Sequence, residues 1–181
     1  MAEPVIAVPA PGAALVRDAT ASDAAALAAI YNHFVAGTVV TFEETAVDAA
    51  EMARRVAEVQ SALWPWLVAV ENGRVAGYAY AALWKRRSAY RRTAEVTVYL
   101  DPAATGRGLG SLLYGRLFPL LERRGVHAVV AGISLPNPAS VALHERFGMH
   151  KVAHFEQVGF KLGTWIDVGY WQCILGENRA A

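Results

Sequence analysis

Three glycines alternate with other residues in Thr105-Gly106-Arg107-Gly108-Leu109-Gly110-Ser111, just ahead of an apolar pattern with helical spacing. The first N–H groups of a helix have no intrahelical partner, and the helix dipole adds positive potential there. Such a loop can therefore hold a phosphate. Glycine lets the anion approach, because no Cβ intervenes. The same glycines would equally serve a tight turn. A Walker A loop needs a lysine after its last glycine, and Ser111 stands there instead. Gly106 and Gly108 fit a dinucleotide fingerprint, but Ser111 occupies its third glycine position and no acidic partner is evident.

Other residues could bring proton chemistry to that anion. Asn137 opens the stretch Asn-Pro-Ala-Ser-Val-Ala-Leu-His-Glu-Arg-Phe-Gly, and His144 follows seven residues later. That is two helical turns, so both share one face, which can lie beside the ligand of the glycine loop. An imidazole titrates near neutral pH and can relay a proton, or it can simply pack. Glu95 alternates with Thr97 and Tyr99 along a strand, so the three share a face. A carboxylate desolvated between strands accepts a proton more readily. The alternative for Glu95 is an ion pair with an arginine of the basic run 85–92, Lys-Arg-Arg-Ser-Ala-Tyr-Arg-Arg. Within that run Lys85, Arg87 and Tyr90 could meet an anionic substrate, or form a solvated loop. His150 and His154 are four apart, but a single cysteine and no ligand cluster argue against a metal site.

These residues need a scaffold, and the pattern supplies one. Residues 14–19 read as a strand. Residues 20–34 read as a helix, opened by a capping box of Thr20 and Asp23. A second helix is predicted over 47–60, and a hairpin over 66–83 turning at Asn72-Gly73. A strand over 93–101 leads into the glycine loop. The helix after it carries Leu109, Leu112, Leu113, Leu117, Leu120 and Leu121 on one face, with Pro119 predicted to kink it. A central strand over 127–135 follows. Asn137 caps the next helix, which ends at Gly148. Two strands around Gly163 close the chain. The order β-α-α-β-β-β-α-β-α-β-β describes a mixed α/β (α+β) sheet.

The 181 residues suit one domain over 14–176, with tails at 1–13 and 177–181. A hydrophobic fraction of 55% against 18% charged describes a packed globule. The net charge of +1 gives no footprint for a nucleic-acid partner, and no apolar run is long enough to span a membrane. The Pro/Ala-rich start has no basic region before an apolar core, so no signal peptide is expected. Cys173, the single cysteine, sits among apolar residues and reads as core in a reducing cytoplasm.

Strand, glycine loop, helix, strand and an Asn-led helix together resemble the GNAT acyl-CoA N-acyltransferases. The stretches IYNHFV, TFEE, PWLVAVENGRVAGYAYAALWKRRSAY, AEVTVYLDP, GLGSLLY, LHERFG and VGFKLGTWIDVGYWQ more closely resemble the phosphinothricin N-acetyltransferases and their methionine sulfone and sulfoximine relatives. The likeness covers residues 15–175, approximately. It implies a GNAT fold, a mixed central sheet with helices on both faces. It implies acetyl-CoA as co-substrate and no metal. The pyrophosphate would lie on Thr105, Gly106, Arg107, Gly108, Leu109, Gly110 and Ser111, with Asn137 beside it. Splayed strands would offer Val98, Tyr99 and Leu100 to the thioester and pantetheine arm, chiefly through backbone N–H groups. Glu95 becomes the base, and His144 a proton donor to sulfur or a relay. Phe42, Lys85, Arg87 and Tyr90 would bind a small amino-acid analogue. A cytoplasmic homodimer is implied, without nucleic acid or membrane. Thr105 and Gly106 depart from the usual loop start, which leaves Arg107 or backbone groups to serve the phosphate. His144 replaces the tyrosine of the wider superfamily, and Met149 stands where an aromatic residue is commoner. Acetylation of another amine or a peptide N-terminus, and acyl-CoA sensing without catalysis, are the alternatives.

Overall fold

Seven strands form one sheet in the order β1-β2-β3-β4-β5-β7-β6 in the computed structural model, which describes residues 14–176. The proposed tails lie outside the described residues. The elements are β1 (Leu15–Asp18), α1 (Ala24–Gly37), α2 (Ala49–Ser61), β2 (Trp66–Glu71), β3 (Arg74–Leu83), β4 (Thr93–Leu100), α3 (Leu109–Arg123), β5 (Ala128–Leu135), α4 (Pro138–Arg146), β6 (His150–Lys161) and β7 (Thr164–Ile174). Only β4 and β5 pair in parallel, which makes the sheet mixed. Among the described residues no helix is long and apolar enough to cross a membrane.

Local chemistry accounts for the boundaries. The Asp23 carboxylate accepts from the Thr20 N–H at 2.8 Å and pairs with Arg17 at 2.7 Å, fixing the turn that starts α1. Asn72 and Gly73 both take positive φ, 50° and 77°, as a tight hairpin turn demands. Asp48 caps α2 by accepting from the Glu51 N–H. Asn137 caps α4 through the Ser140 N–H at 3.2 Å. Helix α3 runs unbroken through Pro119. Proline has no N–H, so the carbonyl of Gly115, four residues earlier, lacks its usual helix donor there.

The sheet separates two cores. Ala79, Ala81, Ala94, Val96, Val129, Ala131 and Ile133 pack with Leu113, Tyr114, Leu117 and Leu121 of α3 on one face. Tyr78, Trp66 and Val68 pack with Leu27, Ile30, Met52 and Val56 of α1 and α2 on the other. Alternation along β4 therefore sends Ala94 and Val96 toward α3, and Glu95, Thr97 and Tyr99 toward the α1 side. Cys173 is buried in the α3 core.

Candidate active site

The parallel pairing of β4 with β5 ends at Glu95 and Val130, although β4 continues to Leu100 and β5 to Leu135. Past that point the two strands are splayed. Asp101 donates its N–H to the Ala76 carbonyl across β3, so the odd-numbered β4 amides face β3. The amides of Val98 and Leu100 therefore face the opening. A narrow slot of about 110 Å³ runs through it, walled by the Val96–Tyr99 segment, Ser134, Asn137, Ser140 and His144.

On the α1 side the slot meets a cavity of about 520 Å³ lined by Phe42, Glu95, Tyr99, Ser134, Phe155 and Tyr170, among others. Phe155 and Tyr170 also wall a neighbouring cavity of about 490 Å³ that contains Lys85 and Tyr90. Lys85 Nζ lies 4.3 Å from the centre of the Trp84 ring and 5.7 Å from that of Tyr90, a cation held on aromatic faces. Arg87 is exposed and lines none of these three cavities; its carbonyl accepts from the Tyr90 N–H at 2.9 Å in the turn between β3 and β4. Among the described residues Glu95 makes no ion pair with the basic run, and burial raises its pKa above the usual carboxylate value. A carboxylate held this way is a better base than a solvated one.

The glycine loop leads directly into α3. Gly106 and Gly108 have φ of +74° and +80°, and Gly108 is the N-cap residue. The Leu109, Gly110 and Ser111 amides form the first turn, where no carbonyl of the helix can reach them. Gly110 serves packing instead, since an added Cβ would stand 2.9 Å from Leu143 Cδ2 of α4. The loop's side chains turn back on the protein. Thr105 Oγ1 donates to the Pro102 carbonyl at 3.0 Å, and Arg107 pairs with Glu71 at 2.8 Å. The donors these side chains leave open in the loop are backbone amides. Arg146 reaches the loop from α4 and donates to Ser111 Oγ at 3.2 Å. Nothing in its spacing marks that cation in the sequence.

His144 is buried, and both ring nitrogens are engaged. A carbonyl can only accept, so Nδ1, 2.7 Å from the Ser140 carbonyl, carries the proton. Nε2 then accepts from Tyr114 Oη at 2.9 Å. Burial lowers the His144 pKa, which favours this neutral form. The ring borders the slot without a free proton on Nε2. Direct proton donation to sulfur, expected above, therefore has no donor atom in this arrangement. Tyr114, its partner, is fully buried.

Two devices shape the cavity of about 520 Å³. Lys161 is 2% exposed, and its Nζ donates to the Thr41 carbonyl at 2.8 Å and the Phe34 carbonyl at 3.3 Å. It thereby ties the loop carrying Val40, Thr41 and Phe42 to β6. The Phe42 ring packs on Gly159, where a Cβ would overlap it. The second device holds a bulge in β6. Asp167 accepts from the Gln157 N–H at 2.8 Å and pairs with His154 at 2.7 Å, and Gln157 has φ +50°. Trp165 is exposed, whereas Trp171 is buried and donates to Glu145 at 3.3 Å. No group of three or more metal-ligating side chains occurs among the described residues.

Residues 16–169 match the model of the acetyltransferase (GNAT) domain. A phosphinothricin N-acetyltransferase of Streptomyces viridochromogenes is 43% identical over 157 residues, covering 87% of this chain and 85% of the relative. An L-methionine sulfoximine/L-methionine sulfone acetyltransferase of Salmonella typhimurium is 39% identical over 165 residues, covering 91% and 96%. A phosphinothricin acetyltransferase of Sinorhizobium meliloti, solved in complex with acetyl-CoA, superposes with a TM-score of 0.88 at 37% identity, covering 93% of this chain and 91% of that one. The splayed strands, the glycine loop at the head of α3 and these relationships agree, and the chain belongs to the GNAT acetyltransferase family.

Proposed function

We propose that the protein acetylates the α-amine of a small anionic amino-acid analogue, of the phosphinothricin, methionine sulfoximine or methionine sulfone type, using acetyl-CoA. The observation that carries this reading is Glu95: a partly buried carboxylate without an ionic partner among the described residues, in a cavity that meets the slot between β4 and β5. The free amides of Leu109, Gly110 and Ser111, with Gly106 and Gly108, suit the pyrophosphate. Asn137 uses its Oδ1 as a cap, which leaves Nδ2 to donate to the pantetheine arm. Acetyl-CoA supplies the thioester. The Val98 and Leu100 amides face its carbonyl, Glu95 takes a proton from the amine, and Lys85 offers a cation to the acceptor's acidic groups. The C–N bond forms as the C–S bond breaks. Of the two protons an ammonium loses, one ends on sulfur and one passes through Glu95 to solvent. His144 and Tyr114 hold the wall between α3 and α4.

The same reading includes a cytoplasmic homodimer. Its support is a band of exposed apolar side chains on the edge hairpin: Val152, Phe155, Val158, Phe160, Leu162 and Trp165. Thiol release from acetyl-CoA tests the activity, run with L-phosphinothricin, L-methionine sulfoximine and L-methionine sulfone beside a basic peptide. A high kcat/KM for one amino-acid analogue supports the proposal. Turnover of the peptide alone refutes it.

A further inference from the structure

Four residues wall both the slot and the acceptor cavity: Val40, Tyr99, Gly132 and Ser134. They mark the joint at which a thioester threaded through the sheet must meet an amine. Ser134 lies on β5 in the same alternation as Gly132. A Cβ on Gly132 would point at the Tyr170 ring, 3.2 Å away, so this alternation faces the acceptor side. Its neighbour Ile133 faces the α3 core. Ser134 is 8% exposed, and its Oγ is buried with no hydrogen-bond partner among the described residues. A buried hydroxyl without a partner destabilises a fold, and an alanine there would be better tolerated. Its position explains its presence.

We propose that Ser134 is a catalytic residue that orients the acceptor. Its Oγ accepts a hydrogen bond from one N–H of the attacking amine. That contact fixes rotation about the Cα–N bond of the acceptor and aims the nitrogen lone pair at the thioester carbonyl. A second N–H points toward Glu95. The hydroxyl takes no part in bond making, so atoms and protons balance as described for the overall transfer. The assignment rests on the acceptor reading given above. It predicts that the hydroxyl trades stability for orientation.

Ser134→Ala tests it, with Ser134→Cys as the variant that keeps a heteroatom at the same place, slightly larger, and weakens hydrogen bonding. In Ser134→Ala the melting temperature rises by about 2–6 °C as the orphan hydroxyl is removed. Acceptor kcat/KM falls about 10–100-fold, while the acetyl-CoA Kd measured by calorimetry stays within twofold. Ser134→Cys falls between wild type and Ser134→Ala in kcat/KM. Full acceptor kcat/KM in Ser134→Ala overturns the assignment, whatever the melting temperature. A lower melting temperature also overturns it, because the hydroxyl would then be holding the fold. Equal losses in acetyl-CoA affinity and kcat/KM would reassign it to the pantetheine arm and overturn it as well. Failure of the wild type with every analogue is a separate result. It removes the acceptor reading itself, and this assignment with it.

Discussion

His144→Ala decides between two roles for the one histidine at the slot. The ring accepts from Tyr114 Oη at 2.9 Å and packs edge-on against it, with centroids 5.3 Å apart. Tyr114 is fully buried, and its one hydrogen bond among the described residues is to His144. Stranding that hydroxyl costs about 1–3 kcal/mol, and the lost packing about 2 kcal/mol more. The sum, about 3–5 kcal/mol, lowers Tm by about 6–20 °C in a chain of this size. Adding Tyr114→Phe removes the orphan, so a double-mutant cycle returns about 1–2 kcal/mol of coupling. Burial lowers the His144 pKa in the fold, so between the two values the unfolded chain binds the proton more tightly. Its contribution is full above the unfolded value of about 6.5 and is lost as pH falls through the folded one. His144→Ala flattens that acid-side slope. Thermal melts from pH 5 to 8 give the stability arm. Thiol release at 15 °C, where the variant stays folded, gives the catalytic arm. A positioning role keeps kcat/KM within about tenfold of wild type, below the roughly 10²–10⁴-fold expected of a catalytic acid. A variant with unchanged Tm and a kcat loss beyond about 100-fold would refute the reasoning and restore His144 as proton donor.

Glu95→Gln lowers kcat/KM by about 10²–10⁴-fold and abolishes the acid limb of the pH–rate profile, while leaving acetyl-CoA binding intact. Burial raises the Glu95 pKa, so the wild-type fold loses stability as pH rises through that value. The Tm of Glu95→Gln should therefore exceed wild type by a margin that grows with pH until ionisation is complete. Gly108→Ala forces a side chain into φ +80°, at a cost of about 1–2 kcal/mol, and raises the acetyl-CoA KM more than the acceptor KM. Lys161→Met leaves the Thr41 carbonyl without the lysine donor, while the Phe34 carbonyl keeps Thr38 Oγ1. Steady-state kinetics should show an acceptor KM raised about tenfold or more, with acetyl-CoA KM unchanged.

Much of the fold was legible because its signals are local. Asn72-Gly73 states a hairpin turn, Asn137-Pro138 states a helix start, and alternation along 93–101 states a strand. Pro119 did not end the helix that its neighbours' spacing predicts, and α3 continues to Arg123. The glycine loop and Glu95 could be picked out, but their surroundings could not. The end of β4–β5 pairing is a relation between distant strands, and no composition encodes it. Arg107 finding Glu71, and His144 finding Tyr114, depend on side chains far apart in sequence. Ser134 did leave a trace: a hydroxyl inside the otherwise apolar Ala-Val-Val-Ala-Gly-Ile-Ser-Leu. Alternation alone cannot say that it lacks a partner.

The Lys161 clamp also sets an order of assembly. The glycine loop, Asn137 and α4 all precede Gly148, so the half proposed to bind acetyl-CoA is encoded before the last hairpin. The acceptor wall is not. Its loop near Thr41 is secured by a lysine 120 residues downstream. Contacts that span so much chain form late, after local elements have settled. A chain growing from its N-terminus would hold the parts for binding acetyl-CoA before it could enclose an amine. Recombining relatives at a point between α4 and β6 would divide the same wall, pairing one parent's acceptor loop with another's clamp. Acceptor preference should then follow neither parent, even where both donate an intact glycine loop.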